Sequence, residues 1–408
     1  MDSEQEKALR LATEAGHILL ENGAEISRVE ETMQRMSEAY GVSDESFFVL
    51  SNGIIATGQH YARAEFIPIK GMQLSRVVEV NQLSREVAQP SPLPLAEVEH
   101  RLNAIRAASG KPWWELVLGI ALGVASFSIL FGGSLADAGA TFACGIVLGL
   151  YMTFAGPHLS RIMGNLSGGL LGGLLCIATA RLAPGTFHLP NMVIGTIIAL
   201  VPGVPFTNGV RDIANEDYIA GATRLLDAFL AFLSIALGVI VALAVDGWLA
   251  GGLMELGTPA TDPLTASWPI QLAAALVGTM GFSALFGTMR KHYVGCGLAG
   301  MTGWGVMLAM AASAPSVAAV FCGALAVAVI SHLFAKYQRC PVTVFLICGI
   351  IPLVPGGGIF WTAYYLTSGR LALAATAGFA ALAATVAIAG GIIIATAVFN
   401  KLSKHHHG

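Results

Sequence analysis

The chain has 408 residues, of which 55% are apolar and only 12% are charged, and its mean hydropathy is +0.69. Soluble domains carry about 25% charged residues, so a single soluble globule and a disordered chain are excluded. The net charge of −3, without a basic stripe, also excludes a nucleic-acid binder. Residues 1–112 hold 27 of the 47 charged side chains, and the other 296 residues hold 20. We therefore expect a polar domain followed by a membrane domain.

Residues 1–110 are predicted to form a small α+β cytoplasmic domain. Asn22-Gly23 is a typical stop signal between two amphipathic helices, and the next segment is rich in β-branched and aromatic residues. The predicted elements are two helices over 4–40, strands with a hairpin over 46–70, and helices over about 72–87 and 95–108. The opening segment is charged and lacks the apolar region of a signal peptide, so no such peptide is expected.

Catalysis by this domain is not favoured by its sequence. The candidate side chains, Glu25, Glu30, His60 and Glu65, form no nucleophile motif, P-loop or metal pair. A solvated helix face explains the carboxylates more simply, and a docking or gating role fits the domain better than an enzymatic one. The six cysteines lie in the apolar part without ligand spacing, which predicts buried thiols, no metal and no cofactor.

From Trp113 onward, apolar runs of about 20 residues, the length that crosses a bilayer, alternate with short polar breaks. The fold class predicted is an all-α polytopic membrane protein with ten transmembrane helices, five in residues 111–250 and five in residues 266–402. The predicted spans are 113–133, 135–154, 162–182, 187–205, 222–245, 268–288, 292–311, 315–335, 341–358 and 371–399. Residues 403–408, which include KHHHG, resemble a purification-tag remnant and are given no function.

The loop charges predict the orientation of these spans. Positive charges in short loops mark the cytoplasmic side. With ten spans, ten Lys and Arg residues fall on the side of the polar domain, and only Arg181 and Arg370 fall on the other side. We expect a multi-pass protein of the cytoplasmic (inner) membrane with both termini in the cytoplasm.

The two groups of spans resemble each other in sequence. FSILFG at 127–132 recurs as FSALFG at 282–287, and LVPGVPF at 200–206 recurs as LVPGGGI at 353–359, with offsets of 155 and 153 residues. An odd number of spans per repeat makes the second copy enter the membrane from the opposite side. The sequence thus predicts a 5+5 inverted repeat, the plan of many secondary transporters.

The recurrent Pro-Gly segments are the predicted substrate site. Proline removes an amide donor and glycine permits non-helical backbone, and such a break inside a membrane is tolerated where protein or a polar cavity satisfies it. A kink or a re-entrant turn near the membrane face is the alternative. The candidate substrate-binding residues are Pro202, Gly203, Pro205, Asn208, Arg211, Asp212, Pro355, Gly356, Gly357 and Gly358, of which Asn208, Arg211 and Asp212 would line the cytoplasmic mouth.

Ionisable residues inside predicted spans are functional candidates. Asp137, His292 and His332 are the proposed proton-coupling residues, although Asp137 and His292 lie near span ends, where hydration is the alternative. Asp137 and His292 occupy equivalent repeat positions, which makes them a possible pair near opposite faces. Asp227 lies one helical turn beyond Arg224, which predicts a simple ion pair between them.

Two segments resemble a known family. ENGAEISRVEETMQRMSEAYGV at 21–42 and LVPGVPFTNGVRDIANEDYIAGATRLLDA at 200–228 are similar to the signature segments of the threonine/serine exporter family (ThrE type). In its split relatives, YjjP and YjjB, two polypeptides would correspond to about 1–250 and 266–402 of this chain. The resemblance implies export of a small metabolite driven by the proton-motive force.

The function expected is secondary export of small amino acids, threonine and serine, by alternating access. The expected partners are a small-molecule substrate, protons and membrane lipid, with no nucleic acid, and a homo-oligomer is left open. Succinate or another dicarboxylate is the alternative substrate. An alternative of another class is a membrane-anchored receptor or enzyme acting through residues 1–110, and a passive channel is a third.

Overall fold

A computed structural model describes residues 2–58, 61–68, 71–214, 216–250, 256–257 and 259–405. His60, considered above as a catalytic candidate, lies outside these residues. The described chain is mostly helical, with one small sheet near the N-terminus.

The polar part of the chain packs four helices against a three-stranded antiparallel sheet of order β1-β2-β3. Its elements are α1 (Asp2–Glu21), α2 (Ile26–Glu38), β1 (Ser46–Leu50), β2 (Gly53–Gly58), β3 (Tyr61–Phe66), α3 (Leu74–Val87) and α4 (Leu95–Ala107). Helix α1 ends as predicted before Asn22-Gly23, because Gly23 has a φ of +82°, in the left-handed region that favours glycine. The apolar stripe of α2 is buried in the shared core, and Arg35 donates to Glu31 at 2.9 Å, as its i,i+4 spacing indicates.

The apolar part contains two groups of six helices, in which long and short helices follow in the same succession. The first group is α5 (Trp113–Leu130), α6 (Leu135–Leu150), α7 (Arg161–Leu182), α8 (Leu189–Ile197), α9 (Gly203–Ala214) and α10 (Tyr218–Ala250). The second group is α11 (Trp268–Leu285), α12 (Tyr293–Ala311), α13 (Ser316–Gln338), α14 (Thr343–Gly349), α15 (Gly356–Thr367) and α16 (Leu371–His405). In each group three long helices are followed by two short helices separated by a Pro-Gly segment.

The number of candidate spans is smaller than the ten predicted. Among the described residues, eight helices are long and apolar enough to cross a membrane, and a ninth span results if α14 and α15, bent by 49°, count as one. The predicted span 187–205 is absent from these candidate spans, because its helix α8 has only nine residues and ends before Pro202. Composition alone does not reveal this interruption, since the residues around it are apolar.

Helices α5 and α11 cross each other in antiparallel orientation at the centre of the molecule. Glu115, at the start of α5, accepts from Arg290, just after α11, at 2.6 Å, and Gln271, at the start of α11, donates to the carbonyl of Ile129 near the end of α5 at 3.1 Å. The rings of Phe127 and Phe282, which are equivalent in the sequence repeat, lie 5.2 Å apart between their centroids. Each helix therefore presents the phenylalanine of its repeated FS motif to the other.

Candidate functional site

The helix interruptions lie where the two Pro-Gly segments were predicted to break the chain. In both, the amide of the first glycine donates to the carbonyl two residues earlier at 2.8 Å: Gly203 to Val201, and Gly356 to Val354. A new helix begins at that glycine in each case. Proline supplies no amide at the turn, so the chain leaves the preceding helix without an additional buried donor.

The two breaks contact each other reciprocally. A β-carbon placed on Gly203 would lie 2.7 Å from the Cγ1 atom of Val354, and one placed on Gly356 would lie 2.9 Å from the Cγ1 atom of Val201. Gly203 and Gly356 are equivalent positions in the sequence repeat, and so are Val201 and Val354. Such a pattern, in which i meets j and j meets i, is the signature of a two-fold contact. The structure thus brings the two predicted break sites together.

The second break presents free backbone donors. Within the described residues, the amides of Gly357 and Gly358 have no hydrogen-bond acceptor, and the residue before the helix, Pro355, supplies no side-chain cap. Helix N-termini favour anionic groups because their amides and the helix dipole point outward. This end of α15 is therefore suited to hold a carboxylate, while Phe131 and Ile194 close the other side of Gly357.

Helix α9 carries the predicted polar residues of the mouth. Asn208 and Asp212 are both buried, and Pro205 is exposed. Arg211 belongs to this helix, but its side chain lies outside the part of the chain that the structure describes. The position of α9 therefore brings two of the three predicted mouth residues into the protein interior rather than onto an open surface.

A buried ion pair connects α9 to α10 and to the polar domain. The Nη1 atom of Arg224 donates to Asp212 at 2.7 Å, and its Nη2 atom donates to the carbonyl of Ala24 at 3.2 Å. The side chains of Arg224 and Asp212 are only 8% and 5% exposed. Ala24 belongs to the segment 21–42 that resembles the family signature. Through Arg224 of α10, this segment is connected to Asp212 of α9, the helix that follows the first break.

The predicted pairing of Arg224 with Asp227 is wrong. Asp227 instead pairs with Arg161 at the start of α7, at 3.1 Å, and this pair is more than half exposed. Residues one turn apart were expected to pair because they share a helix face. Arg224 has a better partner in Asp212, which desolvation makes costly to leave unpaired. Sequence analysis missed Arg224 as a site residue because its partner is across a turn.

The polar domain also contacts the second group of helices. The amides of Leu74 and Ser75 donate to the carbonyls of Phe286 and Gly287, at 2.9 and 3.1 Å. Leu74 then packs with Phe345 of α14 in one apolar cluster. The polar domain therefore contacts both groups of helices, at α10 in the first group and at the end of α11 and α14 in the second.

Glu30 of the polar domain, close to the contact with α10, has a raised pKa. Burial raises the pKa of Glu30, and the nearby negative charge of Asp217 adds to this effect, while a hydrogen bond from the Val49 amide opposes it. Glu30 belongs to α2 and Asp217 to the loop before α10. The two carboxylates therefore repel each other where the domain meets the membrane helices.

Asp137 is placed differently from an isolated intramembrane charge. Its side chain is fully buried and forms a capping box with Ser134 at the start of α6. It also accepts from the backbone amide of His188 at 2.7 Å and contacts the Nδ1 atom of that histidine at 2.8 Å. His188 is 43% exposed and immediately precedes α8. The pair therefore joins a buried carboxylate to a solvent-accessible imidazole at the base of the first interrupted helix.

His292 and His332 do not contact Asp137. The Nδ1 atom of the buried His292 lies 2.5 Å from the amide oxygen of Gln338, and its ring meets Phe345 edge-on. The His332 ring stacks on Phe399, with centroids 4.4 Å apart. Among the described residues, the Nε2 atoms of both histidines are buried without a hydrogen-bond partner. The equivalent repeat positions Asp137 and His292 therefore have different partners, His188 for the first and Gln338 for the second.

The comparisons with known proteins agree with this architecture. The family model described as "Putative threonine/serine exporter" matches residues 10–246, and a second, "Threonine/Serine exporter, ThrE", matches residues 271–398. The chain belongs to the threonine/serine exporter family. It is a membrane protein with transmembrane helices, and its family is one of transporters.

Two bacterial relatives of the chain have names that give different substrates. "Probable succinate transporter subunit YjjP" of Escherichia coli is 28% identical over 258 residues, which cover 60% of this chain and 98% of the relative. "Probable threonine/serine exporter" of Mycobacterium tuberculosis is 24% identical over 385 residues, which cover 88% of this chain and 70% of the relative. No solved structure matches the chain.

Proposed function

We propose that the protein is a secondary exporter of small amino acids, threonine and serine, driven by the proton-motive force. The observation that carries this proposal is the reciprocal contact of the two Pro-Gly breaks. Paired interrupted helices at the interface of two repeats are where secondary transporters bind substrate and coupling ions. A membrane anchor for a soluble enzyme has no need of such paired breaks.

In this proposal the two groups of helices are an inverted repeat around an axis in the membrane plane. The antiparallel crossing of α5 and α11 supports the inversion, because equivalent helices must run in opposite directions through the membrane. The contacts of α10 with α15, and of α16 with α9, support it further, since each long final helix packs on the other half's short one. In this arrangement α8–α9 and α14–α15 are the two interrupted spans, one in each half, and both termini lie in the cytoplasm of an inner-membrane protein.

The substrate's charged groups match what the breaks offer. The free amides of Gly357 and Gly358 would hold the carboxylate at the N-terminus of α15. Carbonyl groups released where α8 ends would accept hydrogen bonds from the ammonium group. Pro202, Gly203, Pro205, Pro355 and Gly356 would frame this site, with Asn208, Arg211 and Asp212 on its cytoplasmic side.

Protons would enter through Asp137 and His188. Histidine changes charge near neutral pH, and here the imidazole connects solvent to a buried carboxylate beside α8. The carboxylate of Asp246, near the end of α10, is already neutralised by Arg181, whose Nη2 atom donates to it at 2.7 Å. His292 and His332, with buried unpartnered nitrogens, would extend proton transfer in the second half.

Succinate export is the second candidate, favoured by the similarity to the succinate transporter subunit. A dicarboxylate needs cationic partners at both ends. Arg224 is engaged by Asp212 and offers no free charge to a second carboxylate, while the side chain of Arg211 lies outside the described residues. The similarity to the threonine/serine exporter over 88% of the chain favours the amino acid.

Counterflow in proteoliposomes tests the substrate directly. Vesicles containing the purified chain are loaded with unlabelled threonine and diluted into labelled threonine. We expect transient accumulation of label that excess serine abolishes and excess succinate leaves intact. Accumulation of labelled succinate that threonine does not compete would replace the first proposal with the second, and equilibration without overshoot would indicate a channel.

A further inference from the structure

One face of the small sheet is apolar and exposed. Phe48, Ile55 and Phe66 are 52%, 42% and 74% exposed. They share a face because the strand register aligns Phe48 with Ile55, and Gly53, two residues before Ile55, with Phe66. The opposite face, with Val49 and Ile54, is buried in the domain core. The exposed face is therefore not needed for the internal packing of the domain.

The end of the sheet that carries Phe66 lies next to the membrane helices. The hydroxyl of Thr223, in the second turn of α10, lies 2.9 Å from that of Ser51 in the β1–β2 turn. After β3 the chain reaches Leu74, whose amide bonds to Phe286 at the end of α11. The Ser51–Thr223 contact thus attaches this end of the sheet to the start of one span, and Leu74, eight residues after Phe66, bonds to the end of another.

Apolar character along the exposed face rises toward that end. Across the three strands, the row farthest from the β1–β2 turn holds polar or small side chains, and the two nearer rows hold the large apolar ones. From far to near, the rows are Ser46, Thr57 and Ala62; then Phe48, Ile55 and Ala64; then Leu50, Gly53 and Phe66.

The adjoining surface of α10 has the composition of a lipid-facing surface. Its outward residues Tyr218, Ile219, Leu226 and Phe229 are 63%, 64%, 58% and 46% exposed. With 33 residues, α10 is about 50 Å long at 1.5 Å per residue. This exceeds a hydrocarbon core of about 30 Å, so its first turns, including Thr223, extend into the headgroup layer. The sheet is attached at that depth.

We propose that this sheet face, formed by Phe48, Ile55 and Phe66, lies in the interfacial layer of the bilayer and contacts lipid. Membrane-surface elements bury apolar residues such as Phe and Leu at the boundary between headgroups and acyl chains. The face continues the exposed apolar surface of α10, and its gradient follows the distance from the spans. The polar domain is then held by lipid as well as by its contacts with both groups of helices.

Site-directed spin labelling in phospholipid vesicles tests this contact. The variants Phe48→Cys, Ile55→Cys and Phe66→Cys are compared with Ser46→Cys, Thr57→Cys and Ala62→Cys, which share the face but lie in its far row. All are made in the full-length chain with its six native cysteines replaced by alanine. The ratio of relaxation by oxygen, which dissolves in lipid, to relaxation by a water-soluble nickel chelate is measured at each position.

We expect this ratio to be at least threefold higher at positions 48, 55 and 66 than at 46, 57 and 62, with the highest value at 66. Equal ratios in the two sets would overturn the proposal. Spin–spin broadening at the apolar positions that disappears on dilution with lipid would overturn it in favour of a second copy of the chain. If the cysteine-free chain does not fold, photoactivatable phospholipid is cross-linked to the unmodified chain, and adducts within residues 48–66 are expected; their absence, with adducts on α10 present, contradicts lipid contact.

Discussion

The break at Val201–Gly203 and the break at Val354–Gly356 contact each other in the same way, yet their surroundings differ. After the first break, α9 buries the polar side chains of Asn208 and Asp212. Asp212 is connected to the polar domain through Arg224 of α10. After the second break, α15 is aromatic, with the rings of Trp361 and Tyr365 stacked 5.3 Å apart.

This difference separates two requirements of a transporter. Alternating access needs two equivalent elements that exchange roles, and the glycine–valine contacts supply that equivalence. Direction and control need the two sides to be unequal. A buried ion pair connects the helix after the first break to the polar domain. The first half also pairs a carboxylate with His188, where the second half pairs His292 with the neutral Gln338.

The largest effects are expected at the symmetric centre. Gly203→Val and Gly356→Val each place methyl groups where a β-carbon alone already lies within 2.9 Å of a valine or isoleucine side chain. We expect each to reduce threonine efflux from proteoliposomes by more than tenfold, because overpacking costs about 1–3 kcal/mol in the element that must move.

Second substitutions that remove the clash test this explanation. Gly203→Ala should regain activity when combined with Val354→Ala, which removes the methyl group 2.7 Å from the new β-carbon. Gly356→Ala should regain activity when combined with Val201→Ala and Ile198→Val, because the nearest atoms to its β-carbon are the Cδ1 atom of Ile198 at 2.8 Å and the Cγ1 atom of Val201 at 2.9 Å. Gly139→Ala on α6 is the matched control, since a β-carbon placed there would meet no neighbouring group within 4 Å. Rescue in one pair but not in the other would show that the two breaks are not equivalent.

The next largest effect is expected when the buried ion pair of Arg224 and Asp212 is broken. Arg224→Met leaves the buried carboxylate of Asp212 without its cation, and breaking a buried pair in this way costs about 3–5 kcal/mol. We expect a large fall in melting temperature in detergent and loss of efflux. Arg161→Met breaks the exposed pair with Asp227, where about 0–1 kcal/mol is expected. Equal destabilisation by both substitutions would contradict the proposed connection between α9 and the polar domain.

The carboxylate–histidine pair should control pH dependence rather than stability. His188→Gln keeps a polar group beside Asp137 but removes the titratable imidazole. We expect efflux to lose most of its dependence on pH, with a rate change of about threefold to tenfold, because the imidazole that connects solvent to the buried carboxylate is removed. His158→Gln, at an exposed position, serves as control. A pH profile unchanged from that of the native chain would assign His188 a structural role only.

The smallest effect is expected at Glu30. Its pKa is raised in the folded chain, so the folded state binds its proton more tightly than the unfolded state does. Stability from this group is present at low pH and is lost as pH rises through the folded pKa. Glu30→Gln retains the acceptor for Val49 and should raise the melting temperature by about 1 °C at pH 7.5, with no gain at pH 4. Glu6→Gln, at an exposed position of α1, should show neither change.

The features that sequence predicted are those that depend on local pattern. Apolar runs located the long helices, and the repeated Val-Pro-Gly located both breaks, since proline and glycine act on the backbone at their own positions. The partner of Arg224 depends on how α9 folds back on α10, so its spacing along one helix was misleading. His188 was missed although it lies at the start of the predicted span 187–205, because its partner Asp137 is 51 residues away along the chain and the contact depends on how α6 packs beside α8. The count of ten spans was not confirmed, because the end of α8 at residue 197 leaves no signal in composition.

The most direct test of the central claim is gradient-driven efflux through the paired breaks. Proteoliposomes loaded with labelled threonine are placed in a more acidic medium, with the native chain, with Gly203→Ala, and with Gly203→Ala combined with Val354→Ala. We expect the inward proton gradient to accelerate efflux several-fold in the native chain, and an uncoupler to remove the acceleration. Gly203→Ala should lose the accelerated efflux, and the double variant should regain it. Efflux by the native chain at the same rate with and without the gradient would contradict the central claim.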